Sequence, residues 1–176
     1  MYSCSSLLFG VCLLSVIEGG RPAQTHPLYK GKQENLPLAV ASQPIAFSHK
    51  EHAFMSCVDC HEGATGKEAA GLPDAVKCML CHTTIKADSL EVKKLAAFNQ
   101  RGEKIKWVRV YQVPDFVFFS HASHAKGGAK CVACHGPVQQ RDVLEKEVST
   151  SMIACMNCHA AKKVSTGCYL CHQPGF

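Results

Sequence analysis

The sequence predicts a fold of short α-helices and mostly irregular chain, with little β structure, wrapped around covalently bound cofactors. Five copies of one pattern, C-x-x-C-H, contain ten of the twelve cysteines in a chain of 176 residues. This pattern is the signature of c-type haem attachment. If about 20 N-terminal residues form a separate segment, roughly 31 remain per motif, too few to enclose each haem in a layered fold. We therefore expect the haems themselves to form the core.

Each motif supplies the side chains that haem attachment requires. Two cysteines separated by two residues lie on one helical turn and bind the vinyl groups of one haem, and the histidine that follows becomes the proximal iron ligand. The sequence thus predicts five haem c groups. Their attachment residues are, motif by motif, Cys57, Cys60 and His61; Cys78, Cys81 and His82; Cys131, Cys134 and His135; Cys155, Cys158 and His159; and Cys168, Cys171 and His172.

A zinc-binding module and a nucleic-acid-binding protein are less compatible with this composition. Zinc sites need sets of four ligands in tetrahedral geometry, and five identical Cys-Cys-His triplets offer no scheme for pairing them. The formal net charge of +5 is also no evidence for a nucleic-acid partner. Each haem brings two propionates against one net positive charge on ferric iron, so the cofactors offset the basic side chains.

Four histidines outside the motifs form two H-x-x-H pairs. They belong to a repeated F-S-H-x-x-H element, at Phe47–His52 and Phe119–His124, and each copy precedes a haem motif. Histidines at i and i+3 share a helical face and can serve two neighbouring irons. The two phenylalanines either stack on a porphyrin or fill the core. The predicted sixth ligands are His49, His52, His121 and His124.

One iron has no sixth ligand from these pairs. Met152, three residues before Cys155, is the preferred candidate, and His26 is the second. A His/Met site would have a higher potential than the bis-histidine haems. An open fifth iron is the third alternative, and it would leave room for enzymatic activity.

The N-terminal region is predicted to be an export segment followed by an arm. Residues 1–20 read as a signal peptide or short membrane anchor, because Leu7–Ile17 is an apolar run of eleven residues, the length of a signal-peptide core and short for a span of about 20 residues. Residues 21–44 form a polar, proline-containing linker or arm. Haem attachment outside the bacterial cytoplasm independently favours export.

Residues 45–176 are predicted to be one pentahaem domain built from two modules. The copies of F-S-H-x-x-H lie 72 residues apart, so each introduces its own group of motifs. The predicted parts are a two-haem module at about 45–88, a connector at 89–115 and a three-haem module at 116–176.

Helices are expected in three places. Short helical turns should carry the haem motifs. In the connector, Asp88–Glu91 predicts a capping box that opens an amphipathic helix with Leu90, Leu95 and Phe98 on one face and Gly102 beyond its end. Residues 138–148 are also predicted to be helical, whereas Ile105–Val113 should be extended and is stopped by Pro114.

The repeated F-S-H-x-x-H element followed by C-x-x-C-H resembles the class III multihaem cytochromes c, small domains with bis-histidine haems and little regular structure. A more specific set of motifs is similar to the pentahaem cytochrome subunit of alternative complex III, the bacterial quinol-oxidising respiratory complex. This resemblance covers roughly residues 45–172. The motifs that carry it are Cys78–His82, Trp107–Val110, Pro114–Val117, Phe119–His124 and Cys131–Gly136.

The resemblance implies an electron-transfer subunit of an oxidoreductase complex, with no substrate of its own. Such a subunit is periplasmic, associated with the inner membrane, and takes electrons from an iron–sulfur or molybdoenzyme-like subunit beside quinol-oxidising membrane subunits. It passes them to a downstream cytochrome or oxidase. Three alternatives remain: a soluble class III-type carrier, a cytochrome subunit of another quinone-linked or molybdoenzyme-like complex, and a multihaem reductase with one open haem.

The resemblance also implies roles for individual residues. By analogy with class III proteins, the first histidine of each pair ligates the next haem along the chain and the second a more distant one. His49 would then pair with the haem of His61, and His121 with that of His135. Trp107, Arg109 and Asp115 would serve as packing and haem-propionate contacts.

Overall fold

The computed structural model describes residues 42–173. Within that range the chain forms seven short α-helices and one 3-10 turn, with no residue in a β-strand, which confirms the predicted fold class. The predicted export segment, His26 and all but the last three residues of the predicted arm lie outside the described residues. The helices are α1 (Cys57–Cys60), α2 (Ala75–His82), α3 (Leu90–Arg101), α4 (His121–Lys126), α5 (Val132–His135), α6 (Met152–Ala161) and α7 (Cys168–Cys171).

All five C-x-x-C-H motifs lie on helical turns, as predicted. Three of these helices have only four residues, so they include little beyond the motif. The first is closed by its own cap, in which the carboxylate of Asp59 accepts a hydrogen bond from the backbone N–H of Ser56 at 2.9 Å. Each pair of cysteines is thereby held on one turn.

The connector helix α3 forms as predicted, but its start differs from the prediction. The side chain of Ser89 caps it by accepting from the N–H of Val92 at 3.2 Å. Glu91 closes no capping box, because its carboxylate instead accepts from the N–H of Ala46 at 2.7 Å. Leu90 is 76% exposed, so its assignment to the buried face was wrong. Gly102 ends the helix with φ of 63°, a conformation that glycine adopts without strain.

A small side-chain core lies where α3 packs against α2. Its apolar members each expose 7% or less of their surface. Trp107 packs against this core and donates from its indole N–H to the carbonyl of Pro73 at 2.7 Å. The buried residues of the core cluster are Ile45, Ala75, Leu95 and Ile105.

The predicted helix over residues 138–148 is wrong. Only a 3-10 turn, Val138–Gln140, forms there, and irregular chain follows. The hydroxyl of Tyr111 accepts from the backbone N–H groups of Glu147 and Val148 at 3.0 and 3.3 Å, so these groups bond across the molecule rather than within a helix. The predicted extended segment Ile105–Val113 is irregular chain as well.

Between residues 116 and 173 no hydrophobic side chain is buried. Many apolar side chains there are open to the surroundings, among them Phe118 at 63% and Tyr169 at 79% exposure. A folded segment of this length ordinarily hides such side chains in a core. Its apolar surface is therefore available to pack against a large apolar cofactor. Among the helices between residues 42 and 173, none combines the length and the apolar character of a membrane span.

Candidate functional site

The two F-S-H-x-x-H elements adopt the same local geometry. In the first, the ring of Phe47 stacks on the ring of His52, with centroids 4.5 Å apart. In the second, Phe119 stacks on His124 at 4.6 Å. Each phenylalanine thus supports the second histidine of its own pair and limits the directions in which that imidazole can point.

Most described histidines have one ring nitrogen fixed by a backbone carbonyl. In six of the nine, Nδ1 lies 2.8 or 2.9 Å from such an oxygen. A donor role at Nδ1 leaves Nε2 unprotonated and available to bind a metal, as in ligating histidines. The pairs are His52 with Ser48, His61 with Gly71, His82 with Ile85, His121 with Glu68, His124 with Ser120 and His159 with Ser165.

Three pairs of imidazole rings have similar distances between their centroids. Two histidines that bind one iron from opposite sides, with metal–nitrogen bonds of about 2 Å, have ring centres about 6 Å apart. The observed centroid distances are 6.0 Å for His52 and His82, 6.4 Å for His121 and His135, and 6.0 Å for His124 and His159. Each pair joins a histidine of an H-x-x-H element to a motif histidine, and the spacing fits a six-coordinate iron between them.

His49 lies near His61. Burial lowers the pKa of the His49 imidazole, and the nearby His61 and His52 rings lower it further. Its Nδ1 is buried and has no hydrogen-bond partner among the described residues. The edge of this ring meets Phe47, with centroids 4.9 Å apart. The first histidine of this pair therefore lies next to the nearest motif.

His172 lies apart from these pairings. Its ring has Phe116 as an aromatic neighbour, with centroids 6.4 Å apart and planes at 83°. The backbone N–H of Phe118 bonds to the carbonyl of Cys171 at 2.6 Å, which ties the segment before the second histidine pair to this last motif. Met152, the preferred ligand candidate, begins α6 and is 62% exposed.

The ten motif cysteines form no disulfide within residues 42–173, and those of different motifs are neighbours. Burial is the largest cause that raises the pKa of five of these thiols. In four of them the next cause is a thiol of another motif: Cys60 for Cys78, Cys131 for Cys57, Cys158 for Cys134, and Cys134 followed by Cys171 for Cys155. Across 42–173, no group of three or more His, Cys, Asp or Glu side chains is placed to hold a bare metal ion.

The sequence did not identify the groups that orient the histidines. These are backbone carbonyls, which no residue type reveals, although the serine shared by both copies of the repeat marks two of them. Tyr111 was also missed. Its hydroxyl donates to the carbonyl of His135 at 3.1 Å and its ring meets that imidazole edge-on at 4.7 Å. Trp107 packs against the small side-chain core, whereas Arg109 and Asp115 are exposed.

Comparisons with known proteins agree with this geometry. Residues 24–112 match the model of the class III cytochrome c family, and residues 117–173 match that of cytochrome c7 and related cytochromes c. The multihaem cytochrome c subunit of a menaquinone reductase from Nitratidesulfovibrio vulgaris is 31% identical over 161 residues, covering 74% of this chain and 77% of that protein. Cytochrome c3 of Desulfovibrio desulfuricans is 31% identical over 96 residues, covering 54% of this chain and 81% of that protein. With its attachment motifs on helical turns and its imidazoles at iron-binding distances, the chain belongs to the class III cytochrome c family and is a multihaem protein that carries haem c.

Proposed function

We propose that the chain carries five haem c groups, one per motif, and passes electrons along them as the cytochrome subunit of a quinone-linked membrane complex. The observation that carries this proposal is the set of three histidine pairs with ring centroids about 6 Å apart, in which Nδ1 of five of the six rings is bound to a carbonyl. Two strong nitrogen ligands keep the iron low-spin in both its oxidised and its reduced state. This property suits electron transfer rather than the binding of a substrate at the iron.

Haems I to V are numbered here by the order of their motifs. Haem I takes His61 and His49, haem II His82 and His52, haem III His135 and His121, and haem IV His159 and His124. Haem V takes His172. Each H-x-x-H element then bridges two haems, so haems I and II are neighbours, and so are haems III and IV.

The haems form one unbranched line in the order II, I, III, IV, V. Proximity of cysteines from different motifs supports each step, with Cys57 beside Cys131 joining haem I to haem III and Cys155 beside Cys171 joining haem IV to haem V. The order differs from that of the motifs along the chain. Haems II and V are its ends, where electrons enter and leave.

The predicted modules fit this line. Haems II and I belong to the two-haem module and haems III, IV and V to the three-haem module. The change between the two family models falls between residues 112 and 117, beside the predicted end of the connector at 115. Electron transfer between haems I and III is therefore the step between modules.

Met152 is the proposed sixth ligand of haem V. It lies one turn before Cys155, whose thiol is close to Cys171 of the last motif. Replacing Met152 with leucine is expected to convert one haem from low-spin to high-spin, seen by EPR of the oxidised protein, and to abolish its iron–methionine charge-transfer band. His26→Leu is the matched variant. A loss of low-spin signal in His26→Leu but not in Met152→Leu would assign the ligand to the N-terminal arm instead.

The relative with the larger coverage is part of a menaquinone reductase. We therefore favour electron flow from a periplasmic donor through the cytochrome to iron–sulfur or molybdoenzyme-like and membrane subunits, and on to menaquinone. The opposite direction, quinol oxidation with delivery to a cytochrome or oxidase, follows from the resemblance to alternative complex III. Both directions require export, association with the inner membrane, and no catalytic residue in this chain.

The experiment is affinity isolation of the tagged full-length chain from membranes of its own organism. We expect a complex with quinone-reactive subunits, in which the reduced haems are reoxidised on adding a menaquinone analogue. Recovery of the chain alone in the soluble fraction, with haems that neither menaquinone nor menaquinol oxidises or reduces, would instead identify a soluble class III-type carrier.

A further inference from the structure

The loop that follows the first haem motif, residues 63–70, contacts the start of α4 in the other module. The backbone N–H of Ala122 donates to the carbonyl of Lys67 at 2.9 Å. The carbonyl of Glu68 accepts twice from His121, from its backbone N–H at 3.0 Å and from Nδ1 of its ring at 2.9 Å. A carbonyl of the two-haem module thus fixes both the position and the ring orientation of a histidine in the three-haem module.

The corresponding histidine of the other copy is held differently. Its segment is also braced across the modules, because the side chain of Ser48 donates to Asp142 at 2.8 Å and the N–H of Lys50 donates to the carbonyl of Arg141 at 3.1 Å. The ring of His49, however, has a buried Nδ1 with no acceptor within residues 42–173. Two elements of the same sequence pattern therefore present two imidazoles with different surroundings.

This difference has a chemical consequence at iron. A ligating imidazole whose Nδ1 donates to a carbonyl is a stronger base, and a stronger basic ligand stabilises ferric over ferrous haem. We infer that the carbonyl of Glu68 is a positioning group for the sixth ligand of haem III, and that it lowers the potential of haem III. The inference rests on the ligand assignment proposed above. It makes the step between the modules dependent on the loop at 63–70.

The shape of this loop depends on Gly63. Its N–H donates to the carbonyl of Ala70 at 2.9 Å, and its own carbonyl accepts from Lys67 at 2.8 Å. A Cβ added at Gly63 would clash with the backbone carbonyl of Ala69 and lie 3.0 Å from that of Ala70. Since Ala69 follows Glu68 directly, relief of that clash moves the carbonyl that His121 uses. Gly66, in the same loop, has no atom within 4 Å of an added Cβ, so Gly66→Ala is the matched control.

The test is an EPR-monitored redox titration of the haem-loaded full chain as wild type, Gly63→Ala and Gly66→Ala. His121→Met and His49→Met identify the signals of haems III and I. We expect the midpoint potential of haem III to shift upward in Gly63→Ala alone. An unshifted haem III in Gly63→Ala, or an equal shift in Gly66→Ala, would overturn the inference.

A second readout needs no variant of the loop. In the fully reduced, diamagnetic wild type, NMR of nitrogen-labelled histidine should give a hydrogen-bonded ring N–H resonance for His121, as for His52 and His124, but not for His49. A His121 resonance that matches His49 would overturn the inference even if Gly63→Ala fails to fold. If His121→Met removes no bis-histidine signal, the ligand assignment itself fails, which is a distinguishable result.

Discussion

Replacing both Cys131 and Cys134 with alanine is expected to interrupt electron transfer between the two ends of the chain. Haem III lies in the middle of the proposed line, and its loss would leave haems II and I on one side and haems IV and V on the other. Transfer rates fall steeply with the gap between cofactors. Flash reduction from a photosensitiser attached through Leu90→Cys, a position that is 76% exposed, should then reduce the two-haem end with no transfer to haem V above background.

The matched control removes the haem at the end of the line, with alanine at Cys168 and Cys171. Both variants should lose one haem of five, measured as haem per polypeptide. Only the variant without Cys131 and Cys134 should interrupt electron transfer between haem II and haem IV. If haem V is reduced as fast without haem III as in the wild type, the proposed order is wrong. If the first variant does not fold, His135→Ala keeps haem III attached but removes one of its iron ligands, and transfer to haem V should then slow rather than stop.

Replacing His52 with methionine is expected to change the haem of His82 rather than that of His61, although His61 is much nearer in sequence. The rings of His52 and His82 lie 6.0 Å apart, with Nδ1 of each bound to a carbonyl. Methionine is a weaker donor than imidazole, so the affected iron should rise in potential by on the order of 100 mV, within the ~0.8 V range that axial ligands set. A redox titration followed by EPR measures the shift.

His49→Met is the companion variant. It should shift a different single signal, that of haem I, because His49 lies beside His61. The double variant should show both shifts, with haems III and IV unchanged. A single signal that responds to both replacements would show that the two histidines do not serve separate irons.

Residue pattern alone predicted the parts of the molecule that covalent chemistry determines. C-x-x-C-H requires a helical turn, and all five copies form one. The connector helix was also predictable, since Ser89 and Gly102 are strong capping residues. Leu90 was misassigned because the spacing of apolar residues shows which face of a helix is apolar but not at which residue burial begins.

Other features depend on contacts that are distant in sequence. Residues 138–148 have a helical composition. However, the hydroxyl of Tyr111, about 36 positions away, accepts hydrogen bonds from the backbone N–H groups of Glu147 and Val148. The dual contact between Glu68 and His121 uses a backbone carbonyl 53 positions from the ring it orients. Such acceptors belong to the folded chain rather than to a residue type, so they could not be read from the sequence.

The most direct test of the account combines a haem count with EPR of the oxidised protein. We expect five haems per chain, four of them giving low-spin bis-histidine signals that are each lost on replacing one of His49, His52, His121 or His124. The fifth signal should be distinct and belong to the haem of His172. Fewer than five haems, or two or more high-spin irons, would contradict the proposal that this chain is an electron relay with four bis-histidine haems.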